Sequence, residues 1–156
     1  MWMQTYTGQK FTFSSFQTSD FSPEDIAHSL AMQTRYTGHC LEFYSIAEHC
    51  VLMHDFCVDR GYPLQVAHWA LLHDAPESFI GDQNNPLKQH LRWMSGQTVT
   101  EYDKLDGQLM AMIALRFGLA GVKPPPIIKE IDYRIRQDER ANMSECTWDD
   151  NPAPVS

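Results

Sequence analysis

Val66-Ala67-His68-Trp69-Ala70-Leu71-Leu72-His73-Asp74-Ala75-Pro76-Glu77 is the stretch on which the fold turns. From Val66 to Leu72 only His68 is polar, and such an apolar run reads as a helix buried in a core. Gly61-Tyr62-Pro63 opens it, so the predicted helix runs from about residue 64 to about residue 79. Upstream, Ile46, Ala47, Val51, Met53, Phe56 and Cys57 fall at helical intervals and predict a helix from about Tyr44 to Arg60. Before that, Ser22-Pro23-Glu24-Asp25 offers a capping hydroxyl, a first-turn proline and two acids suited to the positive end of a helix dipole. That helix is expected to reach about Thr34, with Thr37-Gly38 in a loop. Downstream, Gly81-Asp82-Gln83-Asn84-Asn85-Pro86 is a loop by composition. Leu105, Leu109, Met112, Ile113 and Leu115 predict a fourth helix over 98–117, and a fifth follows Pro124-Pro125-Pro126 over 127–143. Residues 1–21 alternate at Lys10-Phe11-Thr12-Phe13 and predict an extended or hairpin-like arm, while 149–156, with two prolines, predicts a frayed tail. The expected architecture is one all-α domain of about five main helices with a short extended N-terminal arm.

A chain of 156 residues, 43% hydrophobic and 21% charged, is the size of one domain and can bury one core. The net charge of −8, from 12 Lys+Arg against 20 Asp+Glu, argues against a nucleic-acid coat or a polybasic membrane binder. An anionic substrate would need a metal or a few placed cations to overcome that field. No apolar run approaches the roughly 18 residues of a membrane span, and Met1 to Tyr6 does not have the pattern of a leader. Cys40, Cys50, Cys57 and Cys146 lack CxxC spacing, so reduced thiols and a cytoplasmic location are expected.

Chemistry concentrates at His73-Asp74-Ala75-Pro76-Glu77, followed by Gly81-Asp82. On a helix, Glu77 lies four residues after His73 and three after Asp74, so the imidazole and both carboxylates share one face. A His and an Asp projecting together make half a divalent-cation site, and the glutamate beyond them can reach the water of such a site without being a ligand. Such a cluster at the end of an apolar helix is costly unless its groups pair or bind a metal. His54-Asp55 is an internal control: Val58 stands where an acid would be needed and no acidic loop follows, so the pair reads as a solvated helix face. His49 lies five residues before His54, about 140° around the helix, so the two cannot serve one site. On the residues alone, His49 reads as a core histidine.

The order His49 … His73-Asp74 … Asp132 resembles the metal-binding motif of the HD-domain phosphohydrolase superfamily, named for its central His-Asp pair. Residues 25–30, 35–39, 44–49, 70–77, 81–82 and 86–88 further resemble the small phage-type branch of that superfamily. That branch is similar to bacterial 5′-deoxynucleotidases and to cyanophage dATP triphosphohydrolase. The resemblance covers 22–143 and implies an all-helical HD-type bundle. It implies that His49, His73, Asp74 and Asp132 hold a divalent ion; a mixed nitrogen and oxygen set suits Zn, Co, Mn or similar metals. Asp132 is preferred over Asp138 because Glu139 then falls seven residues later, as in the family's final helix.

The same resemblance implies catalytic roles for Glu77, as acid/base beside the attacking water, and Asp82, as a supporting acid. It implies substrate contacts for Arg35, Tyr36, Gly38, Lys88 and Lys129: Arg35 near phosphate and sugar, the two lysines near further phosphates. Tyr36 stands where several relatives carry tryptophan, beside the sugar's 2′ carbon, where a bulky ring leaves no room for a 2′-hydroxyl. Gln83-Asn84-Asn85 replaces a more apolar segment before Pro86-Leu87-Lys88. The implied reaction is attack by metal-activated water at the α phosphorus of a deoxynucleoside triphosphate, dATP favoured, releasing deoxynucleoside and triphosphate. A 5′-deoxynucleotidase acting on monophosphates, and a non-catalytic module binding nucleotide or metal, are the alternatives. A homo-oligomer (dimer or larger ring), no membrane or stable nucleic-acid partner, and a role in host cytoplasm if phage-encoded complete the expectation.

Overall fold

The computed structural model describes residues 1–143; the tail expected at 149–156 lies outside them. The helices start where the sequence supplies caps. Ser22 caps α1 (Pro23–Ala31), with Pro23 in the first turn. Ser45 caps α2 (Ile46–Asp59) by accepting the Glu48 amide at 3.1 Å. Then come α3 (Leu64–Leu72), α4 (Glu77–Ile80), α5 (Asn85–Ser95), α6 (Glu101–Arg116) and α7 (Pro126–Glu139). Thr100 and Asp103 close a capping box at the start of α6. The chain is thus mostly helical. The arm is a small antiparallel hairpin of β1 (Trp2–Gln4) and β2 (Lys10–Thr12), with Met3 opposite Phe11. Among the described residues, no helix is long and apolar enough to cross a membrane, and Cys40, Cys50 and Cys57 are free thiols.

α2 and α3 pack extensively on each other and both touch α7. Met53, Cys57, Ala67, Trp69 and Ala70 from the first two meet Leu109 and Ile113 of α6 and Ile128 and Ile131 of α7 in one core. The Trp69 indole donates to the Ala120 carbonyl at 3.0 Å, so its one polar atom is satisfied. The hairpin joins this core through Phe11, stacked on Phe79 at 4.3 Å between ring centres and edge-on to Phe21. Ile113 is fully buried, so Ile113→Ala is expected to cost about 2–5 kcal/mol of stability, read by denaturant unfolding.

Two expectations are corrected. The chain has seven α-helices among the described residues rather than about five, because 85–95 is helical and the predicted third helix is broken. α5 buries no residue, although Leu87, Leu91 and Met94 recur at helical spacing; its start is set by Asn84, which accepts the Leu87 amide at 3.0 Å. The helix predicted to run to about residue 79 stops at Leu72. Pro76 has no N–H to give the Leu72 carbonyl. The Ala75 amide takes that acceptor at 3.0 Å, and the Glu77 amide bonds Asp74 O at 3.0 Å. The chain therefore descends in three-residue turns through His73–Pro76 before α4 begins.

Candidate metal centre

Because of that break, His73, Asp74 and Glu77 do not share a face of one regular helix. His73 ends α3, Asp74 lies in the turn, and Glu77 opens α4. α2 brings His49 against them, with 5.4 Å between the two imidazole centres. One ligating atom from each of His49, His73 and Asp74 falls within 4.8 Å of the others. His73 Nε2 is 3.2 Å from Asp74 Oδ2, and His49 Nε2 is 3.8 Å from the same oxygen. α7 adds Asp132, whose Oδ1 lies 3.3 Å from His49 Nε2. Asp138, the rival position, lines a different cavity, between α2 and α7.

A cation fits this set by a test independent of resemblance. His73 Nδ1 is 2.7 Å from the Ala70 carbonyl, an acceptor only, so Nδ1 carries the proton and Nε2 presents a lone pair. His49 Nδ1 is 2.5 Å from Glu139 Oε1, with the same consequence. His49 Nε2 is buried without a hydrogen-bond partner, facing two carboxylates. Two imidazole lone pairs and the Asp74 carboxylate lie within mutual reach, with Asp132 beside His49, and such a nitrogen–oxygen set is of the kind that binds divalent transition metals. His54, by contrast, pairs with its neighbour Asp55 at 2.9 Å on the outer face of α2.

The local field favours a positive charge among these groups, whether a proton or a cation. Burial works against a charged His73, yet Asp74 and Asp132 overcome it and raise its pKa. Burial likewise opposes the Asp74 carboxylate, but His73, His49 and Arg35 hold it well below the ordinary range. Glu77 is the opposite case. Burial, then the Asp74 and Asp82 charges, push it up to about 10, and Lys88 at 3.9 Å is too distant for a hydrogen bond that would offset them. Without a bound cation, these fields favour the protonated form of Glu77 near neutral pH. Asp82 is raised as well, by burial first.

A cavity of about 520 Å³ opens onto these groups. Arg35, Tyr36, Asp74, Glu77, Asp82, Lys88, Lys129 and Asp132 all line it, so ten of the eleven sequence-derived site residues lie in its wall or, as His49 and His73, in the ligand cluster behind it. Gly38 is the exception among them: it ends the Arg35–Gly38 turn and is not in the wall. Arg92 of α5 and Arg136 of α7 also line the cavity and were not singled out from the sequence. Four buried side-chain polar atoms lack a partner among the described residues, and all belong to this site: Arg35 Nε, His49 Nε2, Glu77 Oε2 and Arg136 Nε. Buried polar groups in native proteins are mostly satisfied, so the concentration of such atoms here sets this site apart from the rest of the described residues.

Neighbouring segments hold the wall. Arg35 N donates to Tyr44 O at 2.8 Å, and Ile46 N to Gln33 O at 3.1 Å, which pins the Arg35–Gly38 turn to the start of α2. Within that turn Tyr36 and Thr37 take φ of 57° and 55°, left-handed backbone that costs an ordinary side chain roughly 1–2 kcal/mol. Gln33 donates to Glu77 O at 3.0 Å and accepts the Asp82 amide at 3.3 Å, tying the end of α1 to both acids. Gly81, at φ 76°, is the hinge that lets Asp82 turn back toward the cavity.

Sequence reasoning also passed over Glu139 as a functional residue. Its carboxylate accepts from four side chains: His49 Nδ1, the Tyr44 hydroxyl at 2.8 Å, the Tyr36 hydroxyl and Arg35 at 3.3 Å. Burial would raise its pKa, but the His49 hydrogen bond and charge, with Tyr36 and Arg35, hold it down at about 2. Its spacing of seven from Asp132, two turns along one helical face, was the available signal.

No family model matches the chain. Two relatives span nearly all of it. Uncharacterized protein RCAP_rcc00048 of Rhodobacter capsulatus is 34% identical over 168 aligned positions, covering 99% of this chain and 82% of that protein. Uncharacterized protein YfdR of Escherichia coli K12 is 30% identical over 141, covering 90% of this chain and 71% of its own. At 34% and 30% identity over 99% and 90% of its length, the chain belongs to the protein family that includes RCAP_rcc00048 and YfdR.

Proposed function

We propose that the protein is a metal-dependent deoxynucleotide phosphohydrolase of the HD-domain type, converting a deoxynucleoside triphosphate, dATP first, to deoxynucleoside and triphosphate. The observation that carries the reading is a pair of imidazoles with Nδ1 committed elsewhere, facing Asp74 and Asp132, beside the buried protonated Glu77. A divalent ion bound there would polarise a phosphoryl oxygen and supply hydroxide near neutral pH. The remaining work falls to the chain. Arg35, between Asp74 at 3.6 Å and Glu139 at 3.3 Å, presents a fixed guanidinium to the phosphate nearest the sugar. In the reaction a bond forms between the water oxygen and the α phosphorus while the bond from that phosphorus to the 5′ oxygen breaks. The 5′ alkoxide is a poor leaving group, and Glu77 holds the proton it needs. Tyr36 forms the wall on the sugar side.

Arg35, Lys88, Arg92, Lys129 and Arg136 give the cavity five cations in a chain of net charge −8, which supports a polyanionic substrate. A monophosphate remains the second reading, because Arg92 is engaged by Asp103 at 2.7 Å and Arg136 by Asp132 at 3.2 Å. Incubating metal-loaded protein with dATP and with dAMP separates the two. Intact triphosphate from dATP is expected; orthophosphate from dAMP with dATP untouched would establish the monophosphatase. Nucleotide binding with no turnover of either, unchanged in Glu77→Ala, would show a non-catalytic module.

A further inference from the structure

Glu139 touches both halves of the site. One oxygen, Oε1, takes His49 Nδ1 at 2.5 Å and the Tyr44 hydroxyl at 2.8 Å; the other, Oε2, takes the Tyr36 hydroxyl and Arg35. Arg35 in turn reaches Asp74 Oδ2 at 3.6 Å, so one carboxylate bears directly on one proposed metal ligand and indirectly on a second. It is also what Tyr36 grips while its backbone is held left-handed, and the next residue of that turn is held from α5 by Asn84, which donates to the Thr37 hydroxyl at 3.2 Å. Arg35 also bridges the two halves, reaching Asp74 and lying 5.3 Å over the Tyr36 ring, and Glu139 holds it in that place.

We infer that Glu139 is a positioning residue that couples the metal centre to sugar selection: it fixes His49 as the Nδ1–H tautomer, leaving Nε2 as the donor, and with the same carboxylate anchors the Tyr36 wall. The sugar half rests on the function proposed above; the metal half does not. A carboxylate on the far nitrogen of a metal-binding histidine orients the ring and raises its basicity, and its loss typically lowers metal affinity 10–100-fold. Glutamine has the same reach but lacks the charge and cannot accept from four donors with one oxygen.

The test uses the full-length protein, stripped and titrated with Co²⁺ against a chromophoric chelator, with dATP and ATP binding measured beside it in calcium, which supports binding without rapid turnover. Glu139→Gln is expected to weaken Co²⁺ binding about 10–100-fold per folded molecule and to narrow the dATP-over-ATP preference. Tyr36→Phe, which removes only a hydroxyl, is expected to narrow that preference while Co²⁺ affinity stays within about threefold. Should Glu139→Gln not fold, Glu139→Asp keeps the charge opposite Arg35 but draws the carboxylate back by one methylene, and is expected to weaken Co²⁺ binding in the same direction. Wild-type Co²⁺ affinity in the folded variant overturns the inference, as does a weakened site with an unchanged nucleotide preference. Wild-type protein that binds Co²⁺ but neither nucleotide overturns the proposed substrate and leaves the effect of Glu139 on the metal to be read by itself.

Discussion

His73→Ala is expected to abolish uptake of a divalent ion and, with it, hydrolysis, whereas His54→Ala leaves both at the level of the unaltered protein. The contrast is sharp because both histidines precede an aspartate and sit in the same half of the chain. His73 Nε2 lies 3.2 Å from Asp74 and presents a lone pair to the cluster, because Nδ1 is held by Ala70 O. Removing it deletes one of the two nitrogen donors and leaves Asp74 without its nearest imidazole. The affinity loss should exceed the roughly 100-fold that disturbing a mere supporting residue produces. His54 pairs with Asp55 instead, and neither belongs to the cluster of His49, His73 and Asp74. Metal content after exhaustive dialysis, alongside thermal melting to establish that both variants fold, decides the matter. Equal loss in the two would mean that the metal, if there is one, does not sit at His73-Asp74.

What could be read from the sequence, and what could not, follows from the range of the interactions involved. Ser22, Ser45 and Thr100 act on amides three residues away, so the starts of α1, α2 and α6 were visible locally. The Leu72 break was also local, since Pro76 removes one donor, but the apolar run before it outweighed the proline in the reading. α5 was missed although Leu87, Leu91 and Met94 recur at helical spacing; those side chains stay exposed, and the helix is tied by Asn84 and by pairs such as Arg92 with Asp103. His49 shows the limit most clearly. By pattern it is a core histidine, and it is indeed fully buried, yet the carboxylates its Nε2 faces come from α7 and the His73–Pro76 turn. Glu139 went unassigned for the same reason: all four of its partners lie within residues 35–49, about a hundred positions away. Long-range partnership of this kind has no periodicity to betray it.

Glu77→Gln is expected to reduce turnover about 10²–10⁴-fold while metal content and nucleotide affinity are retained, since the amide keeps the shape of a protonated carboxyl but has no proton to give the leaving oxygen. The same substitution carries a second consequence that needs no substrate. In the metal-free fold burial raises the Glu77 pKa from 4.5 to about 10, with the Asp74 and Asp82 charges acting in the same direction. The folded state therefore holds a proton that the unfolded chain releases above about pH 4.5. For a raised carboxyl, that stabilising contribution is complete below the unfolded pKa and fades as pH climbs through the folded one. Thermal stability of the chelator-treated protein should accordingly fall between about pH 5 and pH 10. Glutamine stays neutral throughout, so the variant should show a flatter profile and melt higher than the unaltered protein at the alkaline end. Asp82, also raised, leaves some slope in the variant. Melting curves that run parallel from pH 5 to 10 would mean that Glu77 is ionised in the fold, and the assignment of Glu77 as proton donor would fall with them.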